Sequence, residues 1–344
     1  MNVPLTAYRI GSLFFSTTFP ASAKLLRPGD VITPDMIDVD DFLKTYDEMY
    51  AETLQTGQSA FWTADPCIGF PWMEAILGCT VAATEVSFIS KPVYGSVDDL
   101  LALSLDRENA WYKKLMEFFD KLVRHSAGRY PAAQPLLRGT SDCIGALIGQ
   151  TEMACSLIEH PETTEAVFLR VADIFAELIN DMYDHIKPFH GGYGGGFYYD
   201  WTPGKSVWFQ EDLSALMAPK HYSRFVRPAA ERICRDFDYT LMHLHPSSFK
   251  LLDEILKVKK LRVVQITKDV KGPTIQEMAT EFKKVYAAGK LLMPWGELTD
   301  DEIVFLLSEL PPHSLFLSLM APDVSGAARQ EKMIREYCSK NKRI

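Results

Sequence analysis

The stretch Tyr239-Thr240-Leu241-Met242-His243-Leu244-His245-Pro246-Ser247 carries the pattern on which the fold depends. Its apolar run predicts a short buried strand, and Ser247 then stands where the N-cap of a helix is expected. Successive side chains of a strand point to opposite faces, so the i, i+2 spacing places His243 and His245 on one face. The stretch therefore predicts a strand followed by a helix, with two imidazoles at the carboxyl end of the strand.

The same alternation of strand and helix recurs along the chain. Strands are predicted near Ala60–Thr63, Val86–Ile89, Gln134–Arg138, Gly195–Tyr199, Tyr239–His243, Leu261–Ile266, Lys290–Pro294 and Leu315–Met320. Helical patterns follow them, among them Cys143–Ile158, Glu162–Ile186, Pro219–Phe237, Ser247–Val258, Thr274–Ala288, Asp300–Glu309 and Gly326–Cys338. This alternation predicts an α/β fold, a (β/α)8 TIM barrel. We expect residues 1–55 to form an N-terminal helical and loop extension packed on the barrel, and residues 56–344 to form the barrel.

Composition and charge exclude several classes of protein. The 344 residues include 45 acidic and 36 basic side chains, which give a net charge of −9 and make nucleic acid an unexpected partner. No apolar run reaches membrane-spanning length, and no secretory leader is recognisable, so no membrane association is expected. The six cysteines are scattered without a Cys-x-x-Cys pair. This spacing favours reduced thiols and a cytoplasmic protein.

Chemistry-bearing side chains follow the predicted strands, at the end of a barrel where active sites lie. We expect Asp200, at the predicted fourth strand end, to act as an acid or base, although capping of the next element would also explain it. His243 and His245 would either bind a divalent metal or shuttle protons. Glu297 follows a predicted strand and is the expected third metal ligand or a base, with Asp323 as a further candidate ligand.

A second group of strand-end residues is expected to bind substrate. Arg138 would anchor a carboxylate or phosphate, unless it forms a structural ion pair. Aromatic side chains in this region would form the walls of a pocket for a flat ring, a sugar face or a quaternary ammonium group. The expected substrate-binding residues are Asp65, Arg138, Tyr199, Trp201, Gln265 and Trp295.

Several segments, in the same order and spacing, resemble the uroporphyrinogen decarboxylase superfamily, which includes corrinoid-linked methyltransferases. The matching segments are Pro71–Gly78, Leu137-Arg138-Gly139, Ala146–Glu152, His160-Pro161-Glu162, Glu211–Pro219, Tyr222, Phe225-Val226, Pro228, Tyr239–His245 and Val264-Gln265. The resemblance covers most of the chain and implies the same barrel. The arginine-rich N-terminal motif of the decarboxylase has no counterpart, since only Arg9 and Arg27 precede Arg107.

The methyltransferase branch of this superfamily binds zinc through a His-x-Cys pair after the fifth strand and a later Cys. Here His243 matches the first ligand, His245 replaces the Cys, and Leu315–Asp323 contains no Cys. The resemblance implies a methyltransferase-like activity on a small or aromatic substrate, with zinc as a cofactor. Any cobalamin would come on a separate corrinoid protein, with no covalently bound cofactor, and a homodimer is the expected assembly.

Two alternatives stay open from the sequence. One is a decarboxylase or other lyase, acting on a porphyrinogen or another carboxylate, with Asp200 as proton donor. The other is a non-catalytic or carbohydrate-binding barrel in which Trp201, Trp208 and Trp295 stack on sugars.

Overall fold

The structure, a computed structural model, describes residues 3–10, 27–66, 69–85, 87–196 and 200–341. Its strands are β1 (Leu5–Ile10), β2 (Val31–Ile32), β3 (Thr80–Ala83), β4 (Phe88–Lys91), β5 (Tyr193–Gly194), β6 (Trp201–Thr202), β7 (Ser206–Gln210), β8 (Tyr239–Leu244), β9 (Val263–Thr267), β10 (Leu291–Gly296) and β11 (Phe316–Ala321). The α-helices are Val39–Thr53, Trp72–Ile76, Ala110–Ser126, Thr140–Ile148, Gln150–Glu159, Pro161–His185, Pro219–His221, Arg227–Cys234, Leu252–Ile255, Ala279–Ala287, Asp300–Glu309 and Val324–Lys340.

Six strands form one parallel sheet in the order β1-β11-β10-β9-β8-β7. Each pair of neighbours in this order runs parallel. These strands are buried along most of their length, as expected when helices cover a parallel sheet. Because the strands are parallel, their carboxyl ends meet at one end of the molecule.

Two irregular segments, residues 58–64 and 131–139, lie between β1 and β7 and close the wall of the barrel. Ala60 N donates to Thr6 O at 2.9 Å, which places the first segment beside β1. Ala133 N donates to Ala64 O at 2.9 Å, and Gly139 N donates to Gln210 O at 2.7 Å. The six strands and these two segments together give a TIM-barrel-like α/β fold, as predicted.

At one point in the wall of the barrel, a side chain makes the hydrogen bonds that the backbone of a neighbouring strand would make. The buried Gln134 carboxamide donates from Nε2 to Trp208 O at 2.5 Å and accepts from Trp208 N at 3.2 Å through Oε1. Its amide therefore makes the pair of hydrogen bonds that a neighbouring strand would otherwise make with Trp208.

The last four predicted strands are confirmed as β8 to β11, within a few residues at each end. The prediction was wrong about the fourth barrel strand, which is β7 rather than Gly195–Tyr199. The described part of that range follows β5, which pairs with β6 in a two-stranded antiparallel sheet. Residues 197–199 lie outside the described residues.

The described part of the strand predicted at Val86–Ile89, residues 87–89, also lies outside the barrel, and Val86 is outside the described residues. This part contributes to β4, which pairs antiparallel with β3 in a sheet of three strands. Buried and exposed residues alternate along β4, a pattern typical of an antiparallel strand with one solvated face. In addition, Leu5–Ile10, expected within a helical and loop extension, is a sheet strand paired with β11. The division of the chain at residue 55 stays a prediction.

Helix starts and interruptions follow local chemistry. A capping box formed by Thr299 and Glu302 is present at the start of Asp300–Glu309. The helical region before Pro228 is interrupted by a π-helical segment at Tyr222–Val226. Gly149, with φ of 94°, separates Thr140–Ile148 from Gln150–Glu159, so the helix predicted over Cys143–Ile158 is in fact two. Within the described residues, no helix is both long and apolar enough to cross a bilayer.

Candidate metal centre and substrate cleft

His243 lies at the carboxyl end of β8, opposite Gln265 on β9. Its Nδ1 contacts the Gln265 carbonyl oxygen Oε1, while Gln265 Nε2 donates to Thr267 Oγ1 at 3.2 Å. With this assignment the proton of the neutral ring is on Nδ1, and the lone pair of Nε2 faces outward. Burial lowers the pKa of His243, which favours the neutral form that a metal requires.

His245 follows β8 by one residue, and its ring stands nearly perpendicular to that of His243, with centroids 4.7 Å apart. Its Nδ1 lies 2.7 Å from Oδ1 of Asp269, which follows β9. A carboxylate that accepts from Nδ1 orients the ring and increases the basicity of Nε2. Both imidazoles are therefore held by outer partners.

Asp212 is the third member of this group. It comes directly after β7 and Glu211, and its Oδ1 lies 3.8 Å from His243 Nε2. Its Oδ2 accepts a hydrogen bond from Gln210 Nε2 at 2.9 Å. Potential ligand atoms of Asp212, His243 and His245 all lie within 4.8 Å of one another. In the described part of the chain, Asp212 therefore occupies the place for which the sequence favoured Glu297.

This donor set fits zinc. Two imidazole nitrogens and one carboxylate oxygen are a common three-residue set for catalytic zinc, which keeps a fourth position for water or substrate. Each of the three side chains also has an outer hydrogen-bonding partner, as metal ligands usually do.

Reciprocal capping fixes the turn that carries Asp212. The buried Glu211 carboxylate accepts from the backbone N–H groups of Thr140 and Ser141, at 2.8 and 2.7 Å, and from both of their hydroxyls. In return, Asp142 accepts from the backbone N–H groups of Asp212, at 3.1 Å, and Leu213, at 2.6 Å. Burial raises the pKa of Glu211, and burial together with two neighbouring carboxylates raises that of Asp142.

A cleft of about 720 Å³ opens beside Asp212. Its polar wall includes Arg138, Gln210 and Asp212, and its apolar wall includes Ile89 and Leu216. Arg138 Nη1 lies 3.2 Å from Oε1 of the buried Glu74, which is the structural ion pair that the sequence left open as an alternative, and Arg138 also lines the cleft. The cleft can thus hold a small molecule with an anionic group and an apolar body next to Asp212, one of the three candidate metal ligands.

Asp200 lies elsewhere than predicted, because it precedes β6 in the hairpin rather than ending the fourth barrel strand. A Cβ on Gly195 would overlap its carboxylate, so glycine allows the close approach. Burial raises the pKa of Asp200 to about 6.

Asp65 is buried beside the equally buried Arg9 of β1. Burial raises the pKa of Asp65 to about 7, against the opposing effect of the Arg9 charge. Its backbone carbonyl accepts from the Tyr46 hydroxyl at 2.6 Å. Its predicted contact with substrate stays a prediction.

The other predicted residues have separate environments. Glu297 is exposed, and Lys268 Nζ donates to its backbone carbonyl at 3.0 Å. Asp323, the further candidate ligand, caps the helix Val324–Lys340 by accepting from Gly326 N. Gln265 contacts His243, and its predicted contact with substrate stays a prediction.

Only some of the aromatic side chains predicted to line a pocket are placed where they could contact a ligand. Trp201 donates from Nε1 to Phe189 O at 2.9 Å, and Trp208 is almost fully buried, so Trp208 cannot stack on a sugar as the carbohydrate alternative requires. Trp295 is half-buried on β10. Tyr199 lies outside the described residues.

Sequence reasoning missed the position of Asp212 beside the two histidines because it placed the fourth barrel strand upstream of its actual position. With Ser206–Gln210 recognised as that strand, Asp212 becomes a strand-end carboxylate. The short apolar run Val207-Trp208-Phe209, which follows the turn residues Pro203 and Gly204, was the available signal of a buried strand.

The fold is shared with two solved enzymes. A methyltransferase from Methanosarcina mazei is 11% identical, with a TM-score of 0.67 over 98% of this chain and 94% of that chain. A B12-independent methionine synthase from Shewanella sp. W3-18-1, in complex with selenomethionine, is 9% identical, with a TM-score of 0.52 over 99% and 98% of the two chains. No protein-family model matches the sequence, and no curated protein matches it. The similarities confirm the resemblance at the level of the fold.

Proposed function

We propose that this chain, which has the barrel fold of a solved methyltransferase, transfers methyl groups at a zinc ion held by Asp212, His243 and His245. One observation carries the proposal: three metal-binding side chains converge at the carboxyl ends of the barrel strands. That end of a barrel is where catalytic groups are found. The match of His243 to the first zinc ligand of the resembling methyltransferases supports the same assignment.

Zinc in such a site supplies Lewis acidity, which lowers the pKa of a thiol or water that binds to it. The residues of the chain contribute the remaining requirements. Gln265 and Asp269 keep the two rings oriented, and Asp212 offsets part of the metal charge. Arg138 would hold a carboxylate or phosphate of the substrate in the cleft.

The proposed reaction is a transfer between a methyl donor and a nucleophilic atom of the substrate. The deprotonated nucleophile forms a bond to the methyl carbon, the bond between that carbon and the donor breaks, and the donor keeps the electron pair. The proton lost by the nucleophile passes to solvent. As the donor we propose a methylcorrinoid on a separate protein, because the resemblance implies one.

Metal analysis of the protein purified without an affinity tag tests the proposal. We expect about one zinc per chain, and about 10–100-fold weaker binding or complete loss in Asp212→Ala, His243→Ala and His245→Ala. Glu297→Gln is the matched control, because this exposed carboxylate lies outside the group. Absence of zinc, or loss in Glu297→Gln with retention in Asp212→Ala, would refute the site.

A decarboxylase is the second candidate, since the raised pKa of Asp200 suits a proton donor. In that reaction the carbon–carboxyl bond breaks, carbon dioxide leaves, and the carbon takes the proton of Asp200. The two candidates differ in their need for metal. Porphyrinogen turnover that survives chelation and disappears in Asp200→Asn would favour the decarboxylase over methyl transfer.

A further inference from the structure

A second cavity, of about 670 Å³, lies at the opposite end of the barrel, around the amino-terminal ends of β8, β9 and β10. Its lining includes four cationic side chains, Lys259, Lys260, Arg262 and Lys290, and a single carboxylate, Asp238. The chain as a whole carries a net charge of −9. Positive charge is therefore concentrated in this cavity against the overall balance, which is the electrostatic pattern of an anion site.

Lys290 is the most informative of these residues, because only 8% of it is exposed. Its Nζ donates to the backbone carbonyls of Val258, at 3.1 Å, and Leu261, at 2.6 Å. No carboxylate of the described chain forms an ion pair with it. An ammonium group has three N–H donors, so one remains, and a buried cation without a counter-ion is costly. Burial also lowers the pKa of Lys290. An anion in the cavity would offset this cost.

The other cations at the cavity form no direct ion pair in the described part of the chain; Asp236, the carboxylate on which Lys260 acts at longer range, is itself paired with Arg235. Lys260 Nζ donates to the backbone carbonyl of Arg235 at 2.5 Å. The Arg262 guanidinium lies 5.3 Å from the centre of the Tyr239 ring. Lys259 is exposed and forms no ion pair. These charges are therefore available to a ligand.

A second pair of adjacent lysines behaves differently. Lys283 Nζ lies 2.6 Å from a Glu309 carboxylate oxygen, and Lys284 Nζ lies 3.2 Å from one of Asp253. Their charges are balanced within the protein. The absence of such balance around Lys259 and Lys260 is thus a local property of the cavity.

We propose that this cavity binds a small polyphosphate anion, with the chemistry shared by inorganic pyrophosphate and nucleoside diphosphates. Phosphate oxygens accept hydrogen bonds from several ammonium and guanidinium groups at once. A concave cavity suits a small ligand, and the negative charge of the rest of the chain disfavours nucleic acid. The site lies about 13 Å from the metal centre along β8, from Tyr239 to His243.

Calorimetric titration with inorganic pyrophosphate tests this proposal. We expect saturable binding of about one anion per chain, and binding weaker by about tenfold or more in the double variant Lys259→Gln, Lys260→Gln. The double variant Lys283→Gln, Lys284→Gln loses the same charge and should bind as the parent does. Adenosine diphosphate in place of pyrophosphate distinguishes an organic from an inorganic ligand.

Pyrophosphate also binds metals, so the titration is repeated in the variant His243→Ala, His245→Ala. If pyrophosphate still binds to this variant, the anion site is distinct from the proposed zinc centre, whether or not the metal analysis finds zinc. Circular dichroism confirms that each variant is folded. The proposal is overturned by the absence of saturable binding, by equal weakening in both lysine variants, by loss in the histidine variant, or by tighter binding of an RNA oligonucleotide than of pyrophosphate.

Discussion

Asp200 shows how one buried carboxyl makes stability depend on pH. Its pKa is 3.8 as a free side chain and about 6 in the folded protein, because burial disfavours the charged form. The folded state therefore holds the proton more tightly than the unfolded state. The resulting stabilisation is fully present below about pH 4 and is lost as the pH rises through 6.

We expect Asp200→Asn to remove this dependence, since the amide has no proton to lose. The variant should gain up to about 3 kcal/mol over the parent at pH 8, and little at pH 4. Urea unfolding at several pH values measures the difference. The exposed Asp184→Asn serves as control, and a gain that is the same at pH 4 and pH 8 would contradict the assigned cause.

At the scale of the element, the helix Thr140–Ile148 and the turn Asp212–Leu216 cap each other. We expect Glu211→Gln to destabilise the protein by about 2–4 kcal/mol. The amide keeps one acceptor oxygen, but its NH₂ group would face the N–H and O–H donors that the carboxylate now satisfies. Equilibrium unfolding in urea gives the loss, with the exposed Glu336→Gln as control.

The same substitution, Glu211→Gln, is also expected to change the affinity for zinc. Because Glu211 adjoins Asp212, loosening of the turn should weaken zinc binding as well as folding. A variant with the full loss of stability but unchanged zinc affinity would show that the turn does not position the ligand.

At the scale of the whole molecule, β1 joins the two ends of the chain through its parallel pairing with β11. We expect Ala7→Pro to destabilise the protein by about 3 kcal/mol or more, because proline removes a backbone donor within the sheet. Ala7→Gly, with an expected cost of about 1 kcal/mol, controls for loss of the side chain. Denaturant unfolding measures the loss of stability in both variants. Equal losses would mean that the backbone pairing of β1 with β11 contributes little to stability, as expected if residues 1–55 were a separable extension.

The sequence predicted the barrel from the strands in its second half, where apolar runs are bounded by well-marked helices. It could not predict β1, because a single strand before a long non-repeating stretch looks like part of an extension. It also could not predict the segments at 58–64 and 131–139, whose pairing depends on isolated bridges and a side-chain amide rather than on strand periodicity. Such features arise from tertiary contacts, which local patterns do not contain.

The candidate site was predictable in part for a similar reason. The spacing of His243 and His245 is a local property, and it placed both imidazoles correctly in one group. Asp212 reaches them from a different strand, so its inclusion required the correct position of β7. Glu297 was favoured because it follows a strand, but its exposed side chain lies outside that group.

The carboxamide of Gln134 has a consequence for how the barrel tolerates mutation. A backbone ladder accepts nearly every amino acid, since all but proline present the same N–H and C=O groups. At Trp208 the ladder instead depends on the carboxamide of one particular side chain. A substitution that would be silent elsewhere on the wall of the barrel would here remove both hydrogen bonds that Gln134 makes to the Trp208 backbone. At the seam between residues 131–139 and β7, the identity of a side chain is therefore constrained by the backbone bonds it replaces.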